Sequence, residues 1–336
     1  MNATNNYFAV LICAGTVVLS LPGSEALSEP AEPALQLEAT IPLGDVSGRI
    51  DHMAIDPNRH RLFVAELGND TVGVVDLNER KVINVIAGLK EPQGVAYVPS
   101  SDALYVANGG DGSVKVFKAG NYEPDGQIDL GDDADNIRVD VASNRVFIGY
   151  GNGALAVIDP ATRSKIADIS LKAHPESFQL ARSSRHVFVN VPKAGEIAVV
   201  DRVAGKQAAT WLQRNGGNFP MALDDESQHV VVAFRSPPAL GVFSARDGTS
   251  VANVEACGDA DDVFIDTKRH RAYVSCGSGF LDVFDTQAAT YRRVAHIPTV
   301  AGARTSLFVP ELDRLLLAVR ASAGGPAAIW IYRPAP

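Results

Sequence analysis

A short apolar strand pattern recurs seven times along the chain at an almost constant interval. It reads Leu62-Phe63-Val64, Leu104-Tyr105-Val106, Val146-Phe147-Ile148 and Val187-Phe188-Val189, then Val230-Val231-Val232, Ala272-Tyr273-Val274 and Leu315-Leu316-Leu317. The central residues are 42, 42, 41, 43, 42 and 43 residues apart. A period of about 40–45 residues built from short β-branched and aromatic runs specifies a β-propeller, one four-stranded blade per repeat. Continuous apolar triplets mean that both faces of each sheet are buried, as stacking of blades face to face requires.

The rest of the repeat is consistent with four strands. A first strand precedes each triplet, as in Met53-Ala54-Ile55-Asp56 and Val263-Phe264-Ile265-Asp266. Its closing Asp is placed to cap the turn that follows through its own side chain. A Gly/Asn/Asp loop then leads to a third strand ending Val74-Val75-Asp76, Val157-Ile158-Asp159, Val199-Val200-Asp201 or Val283-Phe284-Asp285, and a more polar fourth strand closes the unit. The seventh repeat ends after its third strand, Trp330-Ile331-Tyr332, whereas residues 35–43 precede the first repeat and resemble a fourth strand. The expectation is an all-β, seven-bladed propeller over residues 35–336, its ring closed by that N-terminal strand, with no exposed sheet edge at the junction.

Before the ring, residues 8–21 are nearly all apolar and Ser24-Glu25-Ala26 fits a small-x-small cleavage site. Residues 1–26 therefore read as a secretory signal peptide and 27–34 as a flexible leader, giving a periplasmic or secreted protein with no transmembrane span after cleavage. Export makes a disulfide between Cys257 and Cys276 chemically possible. If Phe264 pairs with Tyr273, Cys276 falls opposite Asp261, and an extended chain leaves Cys257 roughly 10 Å or more away. A bond then requires the chain to fold back. The net charge of −9 and the lack of a Lys/Arg run argue against a nucleic-acid partner. A monomer is expected.

The seven hydrophobic-aromatic-Val strands, above all Leu104-Tyr105-Val106-Ala107-Asn108, together with the Gly-Asp/Asn loops and the third-strand Val-hydrophobic-Asp endings, resemble the YVTN-repeat propellers and, within them, the YncE-like secreted proteins. The resemblance covers residues 35–334. It implies the fold and leaves activity open, because propellers serve as binding proteins, surface proteins and enzymes.

In a propeller the residues just before each first strand gather at one mouth of the central channel. They include a short acidic stretch that occurs twice, Gly-Asp-Asp-Ala-Asp-Asn at 131–136 and Gly-Asp-Ala-Asp-Asp at 258–262. Asp135 and Asp261 are equivalent and three repeats apart, so they belong almost opposite each other, where like charges need a cation between them. Arg304 with Arg49, or a metal ion, can serve. The expected ligand-binding residues are Arg49, Asp51, His52, Gln93, His174 and Arg304. The expected oxygen ligands for Ca²⁺ or another divalent cation are Asp135, Asn136, Glu176, Asn218, Asp261 and Asp262. Glu91, Asp133, Ser177, Phe219, Asp259 and Thr305 share the mouth, and Lys193 and Arg235, in loops between second and third strands, are placed to assist with an anion. His60, His186, His229 and His270 fall at the opposite end, as turn residues.

Three functions follow. The first is an exported binding protein with an acidic pocket for a small ligand, a cation or a peptide. The second is a metal-dependent hydrolase of lactonase type. The mouth has residue types similar to those of paraoxonase- and gluconolactonase-like propellers, but those have six blades and their local motifs are absent here, so no ligand residue is carried over. The third is a structural or surface-associated propeller. Haem attachment lacks its Cys-x-x-Cys-His motif, only two Trp are present for a quinoprotein-like pattern, and the Gly-rich loops lack the following helix that a nicotinamide or flavin phosphate site needs.

Overall fold

The structure is a computed structural model that describes residues 33–287 and 290–336, together with 1, 3–5, 7 and 9. It divides into two units, Met1–Glu32 and Pro33–Pro336. Apart from Ala9, the expected apolar export segment lies outside the described residues. So do leader residues 27–32.

The second unit consists of seven four-stranded antiparallel sheets, each made of strands consecutive in sequence except the last. In blade seven the strand order brings Leu35–Pro42 onto the outer edge of Ala328–Pro334, with Leu37 opposite Tyr332 and Ile41 opposite Ile329. The N-terminal strand thus completes the last blade. Ala34, counted with the leader by sequence, already belongs to this junction, since its carbonyl accepts the Ala335 N–H at 3.0 Å. The first strands of successive blades touch around the axis, and those of blades one and seven also meet, so the ring is closed.

The apolar triplets form the second strands and are buried, as their composition requires: Leu62, Phe63 and Val64 are each 0% exposed. The core is divided into seven clusters, each spanning two neighbouring blades. Ile41, for example, packs with Ile329 and Ile331 of blade seven and with Leu62 and Val64 of blade one. The aspartates that end first and third strands cap their turns: Asp56 Oδ1 accepts the Asn58 N–H at 3.0 Å and Asp76 Oδ1 that of Asn78 at 2.8 Å.

Two kinds of β-bulge modify this regularity. One lies between the third and fourth strands of every blade, as at Val74/Val75 and Val283/Phe284. The other lies between the first and second strands of blades two, three, five and six only, for example at Ala134/Ile137 and Ala260/Asp262. A bulge inserts an unpaired residue and re-aims the side chains beside it. The second set lies at the mouth.

The bulge in blade six corrects the expected cysteine spacing. Phe264 does pair with Tyr273, but the extra residue sets Cys276 opposite Ala260 rather than Asp261. The chain then turns at Asp259, which has φ 57°, and Cys257 returns to form a disulfide with Cys276, with 5.8 Å between the Cα atoms. The fold-back that the bond demanded is present. Among the described residues, no helix is long and apolar enough to cross a membrane.

Candidate functional site

The two acidic copies have a shared backbone reason. Asp133 and Asp259 are equivalent and adopt left-handed conformations, φ 32° and 57°, as does Glu91 in blade two at φ 49°. Short polar residues visit this region more readily than apolar ones. Each lends its carbonyl to a glycine N–H of the loop between second and third strands: Gly109 to Glu91, Gly151 to Asp133 and Gly277 to Asp259. This first acidic residue therefore shapes the loop. The second one, Asp135 or Asp261, is left at the channel mouth.

A cavity of about 340 Å³ opens there. All six expected ligand-binding residues, Arg49, Asp51, His52, Gln93, His174 and Arg304, line it. Of the expected cation ligands, Asp135, Asn136, Glu176 and Asp261 line it too, but Asn218 and Asp262 do not. Asn218 is fully buried between blades four and five, where its Nδ2 donates to Asn190 Oδ1 at 3.2 Å and to the Glu196 carbonyl at 3.0 Å. Asp262 lines a second cavity further along the axis and accepts the Ser306 N–H at 2.7 Å. Side-chain direction separates these two from the rest, Asn218 into the blade interface and Asp262 along the axis.

The mouth is charge-balanced rather than acidic, because all but one of its carboxylates lie beside a cationic group. Asp261 is held by two arginines: Arg304 Nε lies 2.9 Å from its Oδ2, and Arg235 Nη2 bonds its Oδ1. Both arginines also reach Asp259, Arg304 with contacts of 2.9 and 3.0 Å. The Arg235 guanidinium lies 3.9 Å from the centroid of the Phe219 ring, a cation–π contact that fixes it over the cavity. Arg49 is paired with Asp51 at 2.6 Å rather than acting with Arg304. Asp51 is only 2% exposed, and burial, reinforced by the Asp135 charge against the pull of Arg49, pushes its carboxyl up to about 6.

Asp135 lies between two histidines, 3.9 Å from His52 Nε2 and 3.9 Å from His174 Nε2. His174 Nδ1 donates to the Gly151 carbonyl at 2.7 Å and sits 3.5 Å from Asp133. Burial alone would lower the His174 pKa, but the Asp135 carboxylate, the Gly151 carbonyl and Asp133 reverse this and lift it to about 9. Burial opposes ionisation of Asp135 as well, and the two histidines nonetheless hold it below the ordinary value. At neutral pH the pair is carboxylate and imidazolium. His52 is lowered, chiefly by burial, and stays neutral.

Glu176 is the exception. Among the described residues its carboxyl has no salt-bridge or hydrogen-bond partner, and burial, with the nearby Asp135 charge adding, raises it to about 7. Lys193 is the other charged mouth group without a partner among the described residues, and it is exposed, while the buried Asn136 Oδ1 also lacks a hydrogen bond there. Among the described residues, no three His, Cys, Asp or Glu side chains group to hold a metal ion. With Asp261 taken by arginines, Asn218 turned to a blade interface and Asp262 in the second cavity, the expected six oxygen ligands do not fit a single cation site.

Fold and site together define a seven-bladed β-propeller with a polar, ion-paired mouth. No protein-family model matches the chain, and no curated protein sequence matches it. Among solved structures it is similar to Kuenenia stuttgartiensis hydrazine synthase, with a TM-score of 0.77 over 87% of this chain and 97% of that one, at 16% identity. At such identity the likeness is one of fold. Sequence reasoning missed Arg138, which lies inside a first strand and lines the second cavity. Its signal was a charge at a position that is small or apolar in most other repeats.

Proposed function

We propose that this chain is an exported ligand-binding propeller of the YVTN-repeat, YncE-like kind and that its mouth takes a small polar molecule with a hydrogen-bond donor or positive charge for Glu176. One observation carries the reading. Most of the charges at the mouth are matched internally, while Glu176 stands without a partner beside a cavity of about 340 Å³, within the range of small-molecule sites. Lys193 on the rim adds a contact for an anionic group, so a zwitterion satisfies both. The seven repeats support the family, and the apolar run at 8–21 supports export.

The test is calorimetric titration with a panel of amino acids, amines and amino sugars against the purified chain and its Glu176→Gln variant. The reading expects at least one 1:1 binder, weakened about tenfold or more by the variant, since a charge-assisted hydrogen bond is replaced by a neutral one. Uniform failure of the panel, or equal binding by Glu176→Gln, refutes it.

A hydrolytic reading has one observation in its favour. A carboxyl near pH 7 beside a fixed ion pair is suited to general acid–base work. It predicts lactone turnover whose pH profile inflects near 7 and which Glu176→Gln abolishes.

A further inference from the structure

A second cavity, of about 390 Å³, lies on the axis and meets the mouth at His52, which lines both. Strand register identifies one ring of equivalent residues around it. Arg138 pairs with Phe147, the centre of its blade's apolar triplet. The same position holds Ala54, Ala96, Ala222, Phe264, Leu307 and Gln179 in the other blades, and all seven line the cavity. Gln179 spends its amide on the Met221 carbonyl at 2.7 Å. Arg138 is therefore the one charge in the ring, at a position where the repeat otherwise calls for a small or apolar side chain.

Its fork is mostly unsatisfied. Nη1 donates to the Ile137 carbonyl at 2.8 Å and Nη2 reaches Ser177 Oγ at 3.5 Å, which leaves most of the five guanidinium N–H donors without a protein acceptor. Among the described residues Arg138 makes no salt bridge. The carboxyls nearest its charge are engaged elsewhere: Asp135 with His174, and Asp262, whose pKa burial pushes well above the ordinary range, with the Ser306 N–H. Arg138 is half-buried, and its guanidinium lies 5.7 Å from the centroid of the Phe178 ring, a contact that steadies it without satisfying the N–H donors of its fork. Further walls of the same cavity are apolar: Ile55, Tyr97, Leu223 and Ile265.

We propose that this axial cavity binds a small monocarboxylate with a short apolar tail, its carboxylate gripped side-on by the Arg138 fork and its tail against Phe264, Ile265 and Leu307. A planar guanidinium matches a carboxylate with two parallel hydrogen bonds.

Three probes separate charge from tail: hexanoate, hexanol and chloride, titrated calorimetrically into the purified chain and followed by thermal melting. Hexanoate is expected to bind 1:1 and raise the melting temperature by linkage. Hexanol and chloride should each bind about tenfold more weakly or less. Arg138→Met, which removes a half-buried charge that makes no salt bridge among the described residues, should fold, melt close to the wild type without ligand, and lose the hexanoate response. Arg138→Lys keeps the charge but not the fork; it should weaken hexanoate by about tenfold and so provides the test if Arg138→Met does not fold. The proposal is overturned if the wild type ignores hexanoate, if chloride binds as well, or if either variant binds hexanoate as the wild type does. Failure here leaves the mouth reading standing, since that reading is tested at Glu176 in the other cavity.

Discussion

The strand Leu35–Pro42 makes a sharp test of ring closure, because it carries one deeply buried and one exposed aliphatic side chain a few residues apart. Ile41 is 0% exposed and belongs to the core shared by blades seven and one, whereas Leu37 is 46% exposed on the outer edge. If the strand is integral to blade seven, Ile41→Ala loses both transfer free energy and packing and costs about 2–5 kcal/mol. Leu37→Ala should stay within about 0.5 kcal/mol. At about 1.4 kcal/mol per factor of ten, Ile41→Ala raises the unfolding constant by roughly thirtyfold at the least. Urea unfolding followed by fluorescence or circular dichroism reads this as a lowered midpoint at unchanged slope. Deleting residues 35–43 also exposes the Ala328–Pro334 edge and should give an insoluble or unfolded chain. Equal midpoints for the two alanine variants, or a deletion that melts like the full chain, would show that blade seven does not need this strand.

Three further outcomes are expected. Reducing the Cys257–Cys276 bond, or replacing both cysteines by serine, opens a loop of 19 residues' separation and should cost about 3 kcal/mol, seen as a lower melting temperature with dithiothreitol; no change would mean that the fold-back is held by other contacts, such as the Cys257 N–H to Asp282 Oδ2 bond at 2.8 Å. Arg269 is a buried clamp that binds Asp266 at 3.0 Å, Asp313 at 2.6 Å and the Ala335 carbonyl at 2.8 Å, so Arg269→Ala leaves the buried Asp266 with the Tyr273 O–H and a backbone N–H but no cation and should cost about 3 kcal/mol by urea titration, while a loss below about 1 kcal/mol would refute the clamp. Stability should fall as pH rises from 5 to 9: Asp51 at about 6 and Glu176 at about 7 hold protons more tightly folded than unfolded, so their contribution is complete at low pH and lost through 6 and 7, and His174 at about 9 extends the loss upward; His52, lowered by burial, opposes this below 6.5 but is outnumbered by the two carboxyls, and Asp135, held low, acts only below about 3.8. A melting temperature that climbs over that interval would contradict these assignments.

Much of the architecture was legible because period and burial report on the same thing. Triplets such as Leu104-Tyr105-Val106 become second strands buried on both faces, and their spacing counts the blades. The missing fourth strand of the last repeat pointed to Leu35–Pro42 for the same reason. The mouth was legible to the level of which blade starts gather there. Which atoms face the cavity was not, because adjacent residues at a strand start point in different directions: Phe219 and Asp261 line the mouth while Asn218 enters a blade interface and Asp262 faces further along the axis. Asn218 and Asp262 were placed with the others on that account. Charge matching was also hidden: Arg235 comes from a different blade than Asp261, and a repeat read one blade at a time does not show contacts between blades. Arg138 escaped because attention to strand starts passed over strand interiors.

The pairing of residues 35–42 with residues 328–334 sets an order of events in biosynthesis. The first strand of the ring to leave the ribosome is bonded to the ring's last. Six blades can assemble while synthesis continues, but residues 35–42 must wait, unpaired, until residues 328–334 have emerged. Closure of the ring is thus tied to the arrival of its last strand, and a product cut short before residue 328 is left with a free strand at each end of the ring.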